Sequence, residues 1–168
     1  MVELLSKRKE TIAIAESCTG GLLANRITNI PGASEIFLAG YITYANQAKI
    51  DILKVDSQLI EKQGAVSEPV AKAMAEGARK RASSTYALST TGIAGPTGGS
   101  AGKPAGTVFV GLAAPDKTVV MKFFFPNDRE TFKQQTSQAA FDLLRTTLLK
   151  SIKSQAPSSE ESPSSKIQ

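Results

Sequence analysis

Three features of the sequence predict an α/β layered domain with a mixed sheet. Short apolar, β-branched runs alternate with segments whose apolar residues recur at helical spacing, the pattern of strands buried between helices. The last two runs, Thr107 to Ala113 and Val119 to Phe125, are joined through Ala114-Pro115-Asp116-Lys117, a link too short for a crossover and suited to an antiparallel hairpin. A chain of 168 residues with 41% hydrophobic content can bury one core, so a single domain is expected.

The elements follow in order. Thr11-Ile12-Ala13-Ile14-Ala15 reads as a strand buried on both faces, and Leu22, Leu23, Ile27 and Ile30 then recur at helical spacing. Ile30-Pro31-Gly32-Ala33-Ser34 breaks that helix, and Ile36 to Tyr44 reads as a second strand. Asn46 is placed as the cap of a short helix, and Gln58 to Gln63 as a further helical turn. Ser67-Glu68-Pro69 opens a longer helix, with Ser67 as its cap and Val70, Ala71, Met74, Ala75 and Ala78 on one face. Thr85 to Thr90 is the third strand, and a glycine-rich turn from Gly92 to Gly106 separates it from the hairpin. Asn127 and Glu130 stand at capping-box spacing before a last helix that should run to about Lys153. Residues 154–168 are rich in Ser, Pro and Glu, with too little apolar content to pack, so the domain is expected to span 1–153 and the rest to be a disordered tail.

Composition excludes several classes. No run approaches the roughly 20 apolar residues of a membrane span, and the N-terminus lacks a signal-peptide apolar region, so a cytoplasmic location and no membrane partner are expected. One cysteine permits no internal disulfide. The net charge of +5 is weak, and Lys7-Arg8-Lys9 and Arg79-Lys80-Arg81 sit where helix C-termini favour basic residues. Few aromatic residues interleave with the basic ones, which argues against a nucleic-acid partner. The glycine-rich turn matches neither the phosphate loop of ATPases nor the dinucleotide fingerprint.

Chemistry concentrates in Glu16-Ser17-Cys18-Thr19-Gly20-Gly21, a strand-to-helix turn carrying a carboxylate, two hydroxyls and the only thiol. The chain has no histidine, so a Ser-His-Asp triad, a Cys-His pair and a histidine-ligated metal are excluded, and no metal or other cofactor is expected. The N–H groups of Thr19, Gly20 and Gly21 would open the following helix and offer a site for an oxyanion or phosphate; alternatively Ser17 or Thr19 simply caps that helix. Lys49, read as the third residue of its helix, faces the positive end of the dipole, which favours the neutral amine, and partial burial would act in the same direction. A neutral lysine can take a proton from a serine hydroxyl, and Tyr44 stands at the preceding strand end to relay one. Arg129, a cation in the first turn of the last helix, calls for an anionic partner, either a ligand phosphate or a neighbouring carboxylate. Cys18 is a weaker candidate nucleophile, having little to lower its pKa but the helix terminus.

Taken together, Ala15-Glu16-Ser17-Cys18-Thr19-Gly20-Gly21, Tyr41 to Lys49, Gly64-Ala65-Val66-Ser67-Glu68, Thr91-Gly92-Ile93-Ala94-Gly95-Pro96 and Lys103 to Val108 occur in the order seen in the CinA C-terminal domain family. Over roughly residues 3–150 the chain resembles the stand-alone nicotinamide-nucleotide amidases of that family. The resemblance implies a three-layer α/β/α fold and hydrolysis of the carboxamide of nicotinamide mononucleotide to nicotinate mononucleotide and ammonia, in pyridine-nucleotide recycling. It carries the active-site positions onto Ser17, Ser34, Tyr44, Lys49, Thr91 and Arg129. Ser17 and Ser34 compete as nucleophile, the first favoured by the helix terminus beside it and the second able to approach Lys49 from the neighbouring strand. Thr19, Gly20 and Gly21 would hold the oxyanion, while Thr91, Gly92 and Gly95 would hold ribose or phosphate with Arg129 balancing its charge. Lys133 and Gln134 replace arginines frequent in the family, which weakens bidentate phosphate contacts. A homo-oligomer is expected. The pyrophosphatase activity of longer relatives is not expected, and a catalytically silent nucleotide-binding or partner-binding module is the alternative reading.

Overall fold

All five side chains of β1 (Ile12–Glu16) are buried, because the strand has a neighbour on each side and helices on both faces. In this computed structural model, which describes residues 1–155, β1 pairs in parallel with β2 (Phe37–Ile42) and β3 (Tyr86–Gly92). The sheet continues antiparallel through β4 (Thr107–Ala113) and β5 (Thr118–Phe124), in the order β2-β1-β3-β4-β5. Four strands therefore point one way and β4 the other, the mixed, mostly parallel arrangement with a closing hairpin that the sequence predicts.

The two faces pack differently. On one, Ile12, Ile14, Leu88, Val108, Val110 and Leu112 meet Leu5 of α1 (Val2–Arg8), Leu23 and Ile27 of α2 (Leu22–Thr28), and Phe132, Ala140, Leu144 and Leu148 of α6 (Arg129–Gln155). The opposite face is built from small residues. Ala13, Ala15 and Ala87 lie under α3 (Asn46–Leu53), α4 (Ser57–Gln63) and α5 (Glu68–Ala82). Ser89 Oγ donates to the Ala71 carbonyl at 2.6 Å, and a Cβ at Gly111 would stand 2.8 Å from that same oxygen, so small strand residues are what let α5 lie close. Both layers together complete the three-layer sandwich.

Helix starts depart from the sequence reading in informative ways. Asn46 is the first residue of α3 and Ala45 its cap, with no side-chain capping bond, which makes Lys49 the fourth helical residue. Asp128, not Asn127, caps α6: its Oδ1 accepts from the N–H groups of Glu130 and Thr131, while Asn127 donates to Gln135. Ser67 occupies the cap position of α5, yet its hydroxyl donates back to the Gly64 carbonyl. α6 continues to Gln155, so Ser154 and Gln155 are helical, and the rest of the expected tail lies outside the described residues. Among the described residues no helix is long and apolar enough to cross a membrane.

Candidate active site

The chain leaves β1 for β2 on one side and returns to the sheet at β3 on the other, and a ligand crevice is expected where the carboxyl ends of such strands diverge. Ser17 stands there. Its N–H donates to the Thr90 carbonyl at 3.0 Å, and the Thr43 N–H, just past β2, donates to the Glu16 carbonyl at 2.8 Å. These bonds extend the sheet by one residue and fix both Ser17 and Thr43 beside β1.

Lys49 reaches into this corner from α3 and is 1% exposed. Its Nζ donates to the Thr43 carbonyl at 2.7 Å and the Tyr44 carbonyl at 3.1 Å, and lies 3.2 Å from Ser17 Oγ. Among the described residues no carboxylate pairs with it. Burial pushes its pKa below the ordinary lysine value, with the nearby Cys18 sulfur acting weakly in the other direction. Burial is one of the two causes the sequence suggests for a depressed lysine pKa, the helix dipole being the other. In the neutral amine two N–H groups serve the two carbonyls, and the lone pair is left for the Ser17 hydroxyl.

Glu16 supplies the main correction to the sequence reading. Its buried carboxylate accepts from the N–H groups of Gly21 at 3.0 Å, Leu23 at 3.1 Å and Ala24 at 2.9 Å, so it closes the N-terminus of α2 from within. The Gly20 N–H donates to the Ser17 carbonyl at 3.1 Å. Of the three expected anion-binding amides, Gly20 and Gly21 are therefore already engaged. The Thr19 N–H has no hydrogen-bond acceptor among the described residues, while the Cys18 N–H faces its own sulfur. Neither Ser17 nor Thr19 caps α2 with its side chain; Thr19 Oγ1 instead pairs with Thr90 Oγ1 at 2.8 Å, both buried. Burial pushes the Cys18 thiol up to about 12, which keeps it protonated near neutral pH.

Arg129 closes the rim. Its guanidinium donates to the Tyr44 hydroxyl at 2.8 Å and the Gly95 carbonyl at 3.2 Å, joining the end of β2 to the glycine-rich turn. The anionic partner expected for it is absent from these contacts. Beside it, Leu22, Arg129, Glu130, Lys133 and Gln134 line a cleft of about 460 Å³ between α2 and the start of α6. Lys133 Nζ lies 4.0 Å from where a Gly20 Cβ would stand, so two cations flank the Ser17 loop.

The family model for the CinA C-terminal domain matches residues 1–148. The chain belongs to the CinA C-terminal domain family. It is 54% identical over 146 residues to a CinA-like protein of Geotalea daltonii, covering 87% of this chain and 35% of that protein. It is 46% identical over 149 residues to a putative competence-damage inducible protein of Caldicellulosiruptor bescii, covering 89% of this chain and 36% of the relative. The chain thus spans about a third of the length of these relatives. A crystal structure of a competence/damage inducible protein from Agrobacterium tumefaciens superimposes with a TM-score of 0.84 at 35% identity, covering 86% of this chain and 89% of the other. A CinA superfamily protein from Escherichia coli gives 0.81 at 35% identity, with 88% and 84% covered.

In this CinA-family domain the remaining expected residues divide. Ser34 is exposed in a short 3-10 turn before the amino end of β2, whereas Ser17 follows the carboxyl end of β1. The strands are parallel, so the sheet's length, roughly 15 Å for five residues, separates the two serines, and Ser34 does not approach Lys49 within one chain. Thr91 is buried and donates its hydroxyl to the Ala65 carbonyl at 2.8 Å, which commits the proton to anchoring the loop before α5 rather than to a ligand. At Gly92 a Cβ would meet Val108 Cβ at 2.8 Å, so packing against β4 requires that glycine. Gly95, at φ +73°, does border the site through its carbonyl. The Thr43 carbonyl and Lys133 complete the constellation. A main-chain acceptor leaves no mark in a sequence, whereas Lys133 stood out only as a departure from arginine.

Proposed function

We propose that this CinA-family domain is a serine-lysine amidase that hydrolyses the carboxamide of nicotinamide mononucleotide. The observation that carries the reading is the contact of the buried Lys49 Nζ with Ser17 Oγ at 3.2 Å, in a chain without histidine. Neutral Lys49 accepts the Ser17 proton as Oγ attacks the carboxamide carbon. The developing oxyanion takes hydrogen bonds from the Thr19 N–H, which has no acceptor among the described residues, and from the Cys18 N–H, which turns from its own sulfur to do so. Lys49, now an ammonium, returns its proton to the amide nitrogen, the C–N bond breaks and ammonia departs, leaving an ester on Ser17. Water then attacks the ester with Lys49 again as base, and nicotinate mononucleotide is released with Ser17 restored. The Thr43 and Tyr44 carbonyls keep Nζ aimed through both half-reactions.

Substrate choice rests on the rim. Arg129 and Lys133 set two positive charges beside the Ser17 loop, suited to a phosphate monoester. The direct test is ammonia release from nicotinamide mononucleotide, with nicotinamide and its riboside as controls and Ser17→Ala as the inactive reference. Release that persists in Ser17→Ala, or none from the mononucleotide, rejects the reading.

A further inference from the structure

Alternate side chains of β3 point to opposite faces of the sheet. Ser89 and Thr91 face α5 and the loop before it, where their hydroxyls donate to the Ala71 and Ala65 carbonyls. Thr90 faces the other way, beneath the turn that joins β1 to α2. Its carbonyl accepts the Ser17 N–H at 3.0 Å, its Oγ1 pairs with Thr19 Oγ1 at 2.8 Å, and the same hydroxyl lies against the Cys18 sulfur. One residue of a neighbouring strand thus holds the nucleophile and both residues whose N–H groups are assigned to the oxyanion.

The hydroxyl pair bears on direction. Both threonines are fully buried, so no solvent replaces the bond when one hydroxyl is removed. The Leu22 N–H holds the Thr19 carbonyl at 3.2 Å, and Thr90 holds the Thr19 side chain. With those two groups tied, the Thr19 N–H keeps one direction, and it has no acceptor among the described residues. A donor fixed before the reaction starts needs no reorganisation as charge develops, and that is the source of an oxyanion site's effect. Thr90 Oγ1 makes no hydrogen bond to Ser17 Oγ or Lys49 Nζ, so whatever it does for the chemistry passes through Thr19.

We propose that Thr90 is a positioning residue for the reaction: its hydroxyl, acting through Thr19, holds the Thr19 N–H where the oxyanion forms, while its carbonyl sets Ser17 in the same frame. Nucleophile and oxyanion donor are thereby referred to one rigid strand rather than to the turn that carries them. The inference rests on the serine-lysine reading of the site, and it adds a residue that touches neither the substrate nor the base.

Thr90→Val keeps the shape of the side chain and removes the hydroxyl. It should lower kcat for nicotinamide mononucleotide by roughly 10-fold or more with KM changed by less than about twofold, and Thr90→Ser should recover most of the loss. Thr90→Val strands the Thr19 hydroxyl, so its melting midpoint should fall as well. Combining it with Thr19→Val removes both partners, and this double variant should regain most of the midpoint while staying slow in kcat. Labelling of Ser17 by an alkyl phosphonofluoridate gives a readout that needs no nucleotide: Oγ displaces fluoride from phosphorus, its proton passes to Lys49, and the phosphoryl oxygen takes the place of the oxyanion. The labelling rate should fall in both valine variants. If the wild type releases no ammonia from the mononucleotide but labelling still slows in Thr90→Val, the amidase reading fails and the positioning role stands. Wild-type kcat and labelling in Thr90→Val overturn the role, as does a double variant whose kcat returns with its midpoint, or a wild-type Ser17 that the phosphonofluoridate does not label.

Discussion

The Glu16 carboxylate accepts the Ala24 N–H at 2.9 Å, linking the last residue of β1 to the third residue of the helix that follows. The same carboxylate serves Gly21 and Leu23, so one buried side chain replaces the solvent that would otherwise satisfy the first turn of α2. Its negative charge sits at the positive end of the helix, which offsets the cost of burying it. It also holds the Ser17 loop between strand and helix.

Glu16→Ala should therefore destabilise the fold strongly, because it strands several buried donors at once. A loss of about 3 kcal/mol or more, lowering the melting midpoint by roughly 10 °C, is expected from charge-assisted bonds of this kind. Glu16→Gln keeps one acceptor oxygen and should fall between the two. Thermal melts of the three proteins check the order, and a melt of Glu16→Ala matching wild type would remove the structural role.

This carboxylate shows where sequence reading stops. Most helices are legible because one-sided burial imposes a period of 3.6, and the inner strands because burial on both faces leaves short continuous apolar runs; the five strands appear close to their expected limits. A glutamate beside a serine and two glycines, however, carries the same letters whether it serves catalysis or a helix end. Thr91 and Gly92 lay in a motif that looked ligand-binding, yet their neighbours across the fold, Ala65 and Val108, give them structural work. Ser34, expected to approach Lys49 from the neighbouring strand, stands before the amino end of β2, and a resemblance of motifs does not say at which end of a strand a residue lies. Ser17 and Lys49 were legible because removing histidine left few groups able to activate a hydroxyl, and the structure brings those two together.

Cys18 should be dispensable for chemistry. Burial pushes its pKa up to about 12, so near neutral pH almost none is thiolate, the form that attacks carbonyls. Cys18→Ala is expected to retain most turnover and to resist inactivation by thiol reagents no better than wild type, since the buried sulfur is already protected. Ammonia-release kinetics before and after alkylation measure both effects. Loss of turnover in Cys18→Ala with an unchanged melting midpoint would transfer the nucleophile to the thiol.

Arg129 should act on binding more than on chemistry. Its contacts are to Tyr44 and Gly95 at the rim, not to Ser17 or Lys49. Arg129→Ala should raise KM for nicotinamide mononucleotide by about 10-fold or more, the expected loss of a charge-assisted phosphate contact, with a smaller change in kcat. Lys133→Arg should lower KM, since the planar guanidinium offers two parallel donors where the ammonium offers a point charge. Steady-state kinetics on the two variants separate these effects. An Arg129→Ala defect confined to kcat would place the guanidinium nearer the reacting bond than its contacts indicate.

The final prediction concerns proton transfer. Burial favours neutral Lys49, so its pKa in the folded protein lies below the ~10.4 of a free side chain. The base must be unprotonated to accept the Ser17 proton, and turnover should accordingly rise with pH through that depressed pKa and then level off. Stability carries the same sign. Between the folded and unfolded pKa values the unfolded chain binds the additional proton, so the contribution of Lys49 to stability increases with pH across that window; below the folded pKa both states are protonated and the contribution is flat at its lowest level. Lys49→Arg keeps the charge but cannot accept a proton in this range, and should lose about 100-fold or more in kcat, the scale of a lost general base. Its pH-rate profile should also lose the ascending limb. If instead Lys49→Arg retained near wild-type kcat, the lysine would serve as a fixed positive charge, and another group would have to take the Ser17 proton.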